Sequence, residues 1–157
     1  MSDINGALKS RNFEFNRKYM INKKKIKSID HYIWWFSNKR ESFVASINSK
    51  IKIYFWHQII KYQKEKYCIG GWHSNSINLN MLEVLYVLKW QLKYLMRNKK
   101  NYTWIAVTKK NNKAILSLTR LLGYKTVSIK ESKFNKIINI TFKVKRDKYR
   151  FLKLANA

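Results

Sequence analysis

The 157-residue sequence contains no proline, four glycines and one cysteine, and its eight acidic residues are outnumbered by 34 lysines and arginines. A single cysteine, Cys68, excludes an internal disulfide framework. One cysteine and three scattered histidines are too few for a Cys/His zinc site, so we expect no bound metal. The polar start of the sequence lacks the apolar centre of a signal peptide. The longest apolar run, residues 81–96, is interrupted by charged and polar residues and does not predict a membrane span. We therefore expect a soluble cytoplasmic protein.

The formal net charge of +26 is the strongest compositional feature. A basic surface attracts anions such as nucleic acid, anionic lipid or a phosphorylated ligand. The lysines are spread over the whole chain, however, and they accompany abundant Asn, Ile, Tyr and Phe. An AT-rich genome produces this joint bias without selection for binding, and we favour that origin over a dedicated nucleic-acid function. The length and the 46% hydrophobic content predict one domain, residues 1–157, with a sizeable core.

Alternation of apolar and polar residues from Glu41 onward predicts three consecutive strands. Polar turns at residues 48–50 and 63–66 separate them, and the third strand covers Tyr67–His73. We expect these strands to pair as an antiparallel meander. The pair Gly70–Gly71 inside the third strand indicates a bulge or the close approach of another backbone or a ligand.

Helical patterns surround this meander. Residues 1–27 are basic and weakly periodic, which predicts one or two short helices. A better helix starts at Ser28, where Ser28 or Asp30 can cap it. The strongest helix starts at Met81. Its buried stripe is expected to contain Met81, Leu85, Leu88, Leu92 and Leu95.

The stretch after residue 101 combines a strand and an amphipathic helix. The strand is apolar on both faces, which is typical of a strand that is covered on both sides. Asn111 or Asn112 can cap the following helix, and Gly123 can end it. The buried stripe of that helix is expected to contain Ile115, Leu118, Leu121 and Leu122. Two further strands are predicted, Lys125–Ile129 and Ile137–Val144, paired as a C-terminal hairpin and followed by a frayed basic tail from Lys145.

The pattern from Tyr102 to Lys125 resembles the C-terminal half of the GNAT acyltransferases, which move an acyl group from coenzyme A to an amine. The opening segment has Arg11-Asn12, Arg17 and His31 followed by Trp34-Trp35-Phe36. It resembles the GNAT branch that acetylates ribosomal-protein N-termini and nucleotide-linked amino sugars. The resemblance covers most of the chain. It implies a mixed α+β, GNAT-like fold with acetyl-CoA as co-substrate: an antiparallel meander, then strand–helix–strand–helix and a C-terminal hairpin.

The same resemblance implies a pyrophosphate-binding loop before the long helix, where the family has a Gln/Arg-x-x-Gly-x-Gly/Ala run. Here the arginine and both glycines are missing. Asn80 and Glu83 form a predicted capping box, and a carboxylate there competes with a pyrophosphate for the helix N–H groups. Asn112 matches the family asparagine that contacts the pantetheine arm. The implied cofactor contacts are Trp72, Ser74, Ile77, Asn78, Leu79, Asn80, Met81 and Asn112.

An amine must lose a proton before it attacks a thioester, because an ammonium group is protonated at neutral pH. His73, at the end of the third strand, is the first candidate for the base, and His57 is the second. Many GNAT enzymes carry a tyrosine acid before the helix-ending glycine. Thr119 occupies that position here, so the tyrosine role does not transfer. Cys68 has no histidine beside it in sequence, and we expect direct transfer in a ternary complex.

The predicted acetyl acceptor is an amino sugar carried on a nucleotide, ahead of a protein N-terminus. Flat aromatic rings can stack on bases and sugars, and basic side chains can bind a diphosphate. Two other functions remain open: a basic nucleic-acid-binding protein that has lost the cofactor, and a partner-binding protein without activity. The aromatic residues in question are Trp34, Trp35, Tyr54, Trp56 and Trp72.

Overall fold

A computed structural model describes residues 3–98, 102–128, 132–144 and 146–155. These residues form six α-helices and six strands. Among the helices described, none is both long enough and apolar enough to cross a bilayer. The order is α1 (Ile4–Asn12), α2 (Glu14–Arg17), α3 (Ser28–Ser37), β1 (Glu41–Ile47), β2 (Lys50–Tyr62), β3 (Glu65–Ser74), α4 (Met81–Asn98), β4 (Thr103–Lys109), α5 (Lys113–Leu121), β5 (Lys125–Thr126), α6 (Ser132–Phe142) and β6 (Tyr149–Ala155).

The strands form one mixed sheet in the order β1-β2-β3-β4-β6-β5. β1 and β2 are antiparallel, and β6 is antiparallel to both β4 and β5. β3 pairs with β4 in parallel, with Tyr67–Ile69 opposite Thr103–Ile105. A mixed sheet that alternates with helices confirms the predicted α+β class.

The hairpin between β1 and β2 follows the sequence prediction. Asn48 and Ser49 have positive φ angles of 50° and 60°, which is the backbone of a two-residue hairpin turn. Ile53, Phe55 and His57 alternate along the buried face of β2. The two short helices predicted in residues 1–27 are α1 and α2. The cap predicted for α3 is wrong, because Lys27 is the N-cap residue and makes no side-chain hydrogen bond to the helix.

The long helix α4 has a buried stripe that differs from the predicted one. Met81 is 39% exposed, and Leu85, Leu88 and Leu92 are only partly buried. The prediction followed the leucines and ignored the smaller valines, which pack closer to a core because they are short and β-branched. The buried residues are Val84, Val87, Gln91 and Leu95.

The region after β4 contains both a confirmed prediction and a partial error. Asn112 accepts a hydrogen bond of 3.3 Å from the Ile115 N–H, so the predicted cap of α5 is confirmed. Gly123 follows α5 with a φ of +86°, the left-handed conformation expected at a helix end. Leu121, predicted to be buried, is 70% exposed, and Thr119 is buried instead.

The predicted C-terminal hairpin is wrong. Residues 137–142 belong to α6, with Ile137 and Ile138 buried, because their apolar positions repeat at helical spacing rather than in alternation. β5 is only Lys125–Thr126, and the predicted strand end at Ile129 lies outside the described residues. The basic tail that we predicted to fray is β6, which pairs with β4 from Tyr149 to Ala155.

The chain contains two compact units, and β2 and β3 contribute to both. The first unit consists of Met1–Gln58 and Gly70–Val84, and the second of Ile59–Ile69 and Leu85–Ala157. Cys68, Leu95, Tyr102 and Trp104 form a buried cluster of the second unit. His31, His57 and His73 all belong to the first unit.

Candidate active site

His73 is the penultimate residue of β3, and Ser10 of α1 fixes its protonation. The Nδ1 atom of His73 lies 2.9 Å from Ser10 Oγ, and the same hydroxyl donates a hydrogen bond of 2.7 Å to the backbone carbonyl of Ser74. A serine hydroxyl has one proton. Because the Ser74 carbonyl takes that proton, Ser10 Oγ must accept a hydrogen bond from Nδ1. We infer that His73 carries its proton on Nδ1 and its lone pair on Nε2.

Asn16 of α2 fastens the end of β3 to the N-terminal helices. Its Nδ2 donates to the carbonyl oxygens of Ser10 and Ser74, at 2.8 and 2.7 Å, and its Oδ1 accepts from the Ser74 N–H at 3.2 Å. Ser10 and Asn16 are both buried. Sequence reasoning missed these two residues, because no local pattern indicates that a short polar side chain pairs with a strand some 60 positions away.

The His73 ring is neutral at neutral pH. Burial lowers its pKa to about 3, and the positive charges of Arg11 and Arg40 act in the same direction, as does His31 when it is protonated. Tyr54 of β2 stacks on the ring, with 5.4 Å between centroids, and donates its hydroxyl to Asp3 at 3.3 Å. His73 is therefore a neutral imidazole with a lone pair, held in a positive environment.

Arg40, just before β1, lies on a platform of three tryptophans. Its guanidinium carbon is 3.4 Å from the ring centroid of Trp34 and 5.0 and 4.8 Å from the centroids of Trp35 and Trp56. The cation is attracted to the negative faces of these rings. Burial lowers the pKa of Arg40 to about 9. One face of Trp34 is thus already in contact with Arg40.

His31 of α3 is buried beside the same tryptophans. Its ring centroid lies 6.0 Å from that of Trp34 and 5.4 Å from that of Trp35. Burial lowers the pKa of His31, a hydrogen bond with the Ile4 backbone raises it, and the charge of Arg40 lowers it further. His31, Arg40 and the tryptophans thus form one cluster.

The basic residues of the opening segment hold a loop in place. Arg11 Nη2 donates to the Asn22 carbonyl at 2.6 Å, and Arg17 Nη1 donates to the Lys23 carbonyl at 3.0 Å. Asn12 makes two hydrogen bonds of 2.9 Å with the Ile26 backbone, one from Nδ2 to the carbonyl and one to Oδ1 from the N–H. The side chains that carry the sequence resemblance here have a structural role.

His57, the second candidate base, has no exposed surface. Its ring stacks on Phe43 with centroids 5.3 Å apart, and its Nε2 lies 3.4 Å from Glu41 Oε2. A nearby carboxylate favours the imidazolium form, but burial outweighs it and lowers the pKa of His57 to about 4. These contacts favour a structural role for His57.

Gly71 allows an aromatic ring to approach β3. A methyl group at Gly71 would lie only 3.1 to 3.3 Å from the indole atoms of Trp56, closer than side chains normally pack. The close approach predicted from the glycine pair is thus an approach of a side chain from β2.

We expect Gly71→Ala to lower the free energy of unfolding by about 1 kcal/mol, because the Trp56 ring must shift to accept the methyl group. Urea unfolding measures this change. In a Trp56→Phe background the same substitution should cost clearly less, since the smaller ring leaves room for the methyl group. Equal costs in both backgrounds would show that the Trp56 contact does not constrain residue 71.

The start of α4 is capped by its own side chains. The Leu82 N–H donates to Asn80 Oδ1 at 2.9 Å, and the Asn80 N–H donates to Glu83 Oε2 at 3.4 Å, so the predicted capping box is confirmed. The Asn78 N–H donates to Ser76 Oγ at 3.2 Å. The backbone N–H groups of Asn78, Asn80 and Leu82 thus have partners within the loop.

Comparison with known proteins finds similar structures but no similar sequence. No family model matches the sequence, and no curated protein is similar in sequence. The ribosomal-protein-alanine N-acetyltransferase from Brucella melitensis superposes with a TM-score of 0.73 at 12% identity, covering 99% of this chain and 95% of its own. A GNAT-family acetyltransferase from Bacillus anthracis gives 0.67 at 15% identity over 98% and 89%. The N-acetyltransferase PseH from Campylobacter jejuni, in complex with acetyl coenzyme A, gives 0.58 at 14% identity over 92% and 93%.

This chain has the GNAT fold. The long helix of that fold is α4, and the loop expected to hold a pyrophosphate is residues 74–80. Ile77, Asn78, Asn80 and Met81 are exposed there, and Leu79 is partly buried. The exposed backbone is within reach of a ligand, but Glu83 occupies the helix start that the GNAT fold implies for the pyrophosphate.

Two other predicted cofactor residues differ in how well they suit that role. Ser74 is buried, its backbone N–H and carbonyl bond Asn16 and Ser10, and its hydroxyl donates to the Ser76 carbonyl. Ser74 therefore supports the loop and has little left to offer a ligand. Trp72 is partly exposed. A pyrophosphate at the start of α4 would lie close to the Glu83 carboxylate, and the two negative charges would repel each other.

Proposed function

We propose that this GNAT-fold protein is an N-acetyltransferase that transfers an acetyl group from acetyl-CoA to a primary amine. The observation that carries the proposal is the neutral His73 imidazole, whose lone pair is fixed on Nε2 by Ser10. Acetyl-CoA supplies the acetyl thioester. Asn112 and the exposed backbone of residues 77–81 are the proposed contacts of its pantetheine and pyrophosphate parts.

His73 has two functions in this mechanism. Its Nε2 accepts the proton that the amine nitrogen loses once it has attacked the thioester, and its Nδ1–H stays on Ser10, which keeps the ring oriented throughout. The positive charges of Arg11 and Arg40 oppose the binding of a protonated amine near the ring and favour the reactive neutral form. The positively charged surroundings of His73 thus favour binding of the neutral amine, which is the form that attacks the thioester.

A titration with acetyl-CoA tests the donor. The purified protein should bind acetyl-CoA in calorimetry and unfold at a higher temperature in its presence, because a ligand of the native state stabilises it. No heat and no thermal shift at millimolar acetyl-CoA would refute the donor assignment, whatever the acceptor is.

The proposed acceptor is a nucleotide-linked amino sugar. The support is the basic and aromatic cluster around His73, although Arg40 already covers a face of Trp34 and Tyr54 already stacks on His73. Trp35 and Trp72 are the partly exposed rings that remain for stacking. In a competition assay, a nucleotide-linked amino sugar should be acetylated far faster than an N-terminal peptide. Preference for the peptide would overturn this choice.

We expect Glu83→Gln to tighten acetyl-CoA binding by about fivefold, because it removes a negative charge from the helix start where a pyrophosphate would bind. Glutamine can keep the hydrogen bond to the Asn80 N–H, so the helix cap should survive. Asp30→Asn removes the same charge from the exposed start of α3 and should leave the affinity unchanged. Calorimetry compares the three proteins. An unchanged affinity in Glu83→Gln would show that the start of α4 does not bind the pyrophosphate.

A further inference from the structure

The cluster around His73 contains buried side-chain nitrogen atoms that have no hydrogen-bond partner within the described part of the protein. They are Arg11 Nη1, Arg40 Nε and the Nε2 atom of His31. A buried polar group without a partner destabilises the folded protein, and a buried charge does so more strongly. Neither guanidinium forms an ion pair with a carboxylate of the described residues.

Arg11 and Arg40 both lie close enough to His73 to lower its pKa. Arg11, Arg40 and His31 all lower the pKa of His73, Arg40 also lowers that of His31, and Arg17 lowers that of Arg11. Asp3 accepts hydrogen bonds from the Gly6 N–H and the Tyr54 hydroxyl and forms no ion pair with either guanidinium. The positive charge of the cluster is thus not compensated by an acid of its own.

We propose that Arg11 and Arg40, with His31 beside them, form a binding site for a phosphoryl group. The Nε edge of Arg40 and the Nη1 of Arg11 offer donors from two separate guanidinium planes, which suits an anion with three oxygens and two negative charges. A carboxylate has one charge and would leave the second guanidinium uncompensated. The tryptophans that contact Arg40 hold its planar group in a fixed orientation.

Given the proposed function, the phosphoryl group belongs to the acetyl acceptor, and its binding then serves catalysis. An anion beside Arg11 and Arg40 cancels the charges that disfavour protonation of His73, so His73 becomes a stronger base when the site is filled. The acceptor thereby activates the base that deprotonates it. Acetyl-CoA also carries phosphoryl groups, and the experiment separates the two sources.

Calorimetry of the full chain with inorganic pyrophosphate tests the site without any acetyl transfer. In about 150 mM salt, which screens exposed lysines, pyrophosphate should bind and acetate should not. Arg40→Gln and Arg11→Gln should each weaken pyrophosphate binding about tenfold or more. Lys39→Gln and Lys9→Gln remove exposed charges from the same two segments and should change it less than twofold.

A histidine titration followed by NMR provides a second readout. The pKa of His73 should rise by at least one unit with pyrophosphate in the native protein and should stay unchanged in Arg40→Gln. The unliganded variant should unfold no earlier than the native protein, because it loses an uncompensated buried charge. If Arg40→Gln unfolds at a lower temperature than the native protein, Arg40→Lys replaces it as the test variant. Lysine keeps the charge but lacks the planar guanidinium group, so this variant should also bind pyrophosphate less tightly.

Different results test the existence of the site and its assignment to the acetyl acceptor. Absence of pyrophosphate binding, equal binding of acetate, or native affinity in Arg40→Gln would overturn the site, even if the protein proves to be an acetyltransferase. Competition between acetyl-CoA and pyrophosphate for the same site would overturn its assignment to the acceptor. Binding without competition supports the acceptor assignment, even if no acetyl transfer is detected.

Discussion

The His73→Asn variant is expected to lose about 10²- to 10⁴-fold in kcat on a verified acceptor, which is the usual contribution of a general base. The asparagine amide can take the place of Nδ1–H and donate to Ser10 Oγ, so the buried hydrogen-bond network survives. Asparagine offers nothing at the position of Nε2, where the lone pair lies. Steady-state kinetics across neutral pH, together with a thermal melt, measures the activity and the fold separately.

His57→Gln is the matched control for this substitution. Glutamine can place its amide where Nε2 of His57 meets Glu41, and it removes the titratable ring from the neighbouring strand. This variant should keep activity within a few-fold of the native protein. Full turnover in His73→Asn, with loss in His57→Gln, would reverse the assignment of the base.

Acid should destabilise the protein well above the pH at which carboxylates protonate. In the unfolded chain histidine has a pKa near 6.5, whereas the folded protein lowers the pKa of His73 to about 3 and that of His57 to about 4. Between these values the unfolded state binds protons that the folded state does not. The stabilisation is therefore complete above pH 6.5 and is lost as the pH falls towards 3 to 4. Over this range each histidine lowers the free energy of unfolding by about 1.4 kcal/mol per pH unit, which amounts to about 4 kcal/mol for both histidines at pH 5.

Urea unfolding at pH 7.5, 6 and 5 measures this loss. The His73→Asn variant should show a slope that is smaller by about 1.4 kcal/mol per pH unit, because one titrating group is gone. A free energy of unfolding that stays flat from pH 7.5 to 5 would mean that these histidines protonate in the folded protein as readily as in the unfolded one.

Local chemistry explains which parts of the fold were predictable. The turn at Asn48, the cap at Asn112 and the capping box at Asn80 and Glu83 are interactions between residues close in sequence, and the structure contains all of them. Apart from the cap of α3, the errors fall where packing between distant parts of the chain decides. α6 was read as a strand because short runs of isoleucine suit both structures, and β6 was missed because its lysine and arginine obscure the alternation.

The residues of the candidate site likewise divide into those that the sequence indicates and those that only the structure reveals. His73 was found because a histidine at the end of a predicted strand is visible in sequence. Ser10 and Asn16 were not found, since their partners lie about 60 residues away and their spacing has no motif. Arg40 stood out only once its contacts with Trp34 and Trp56 were known. Among the basic residues that the structure describes, Arg40 shares with Arg11 a buried guanidinium nitrogen that has no partner, and sequence does not report burial of a cation.

The central position of β6 has a consequence for synthesis on the ribosome. β6 lies between β4 and β5, so the hydrogen-bonding edge of β4 from Thr103 to Lys109 stays uncovered until Tyr149–Ala155 has left the exit tunnel. An apolar strand with a bare edge is the structure on which nascent chains associate wrongly. A translation product that stops before Tyr149 should therefore be a client of ribosome-associated chaperones or be found in inclusion bodies, even though most of the chain has been made.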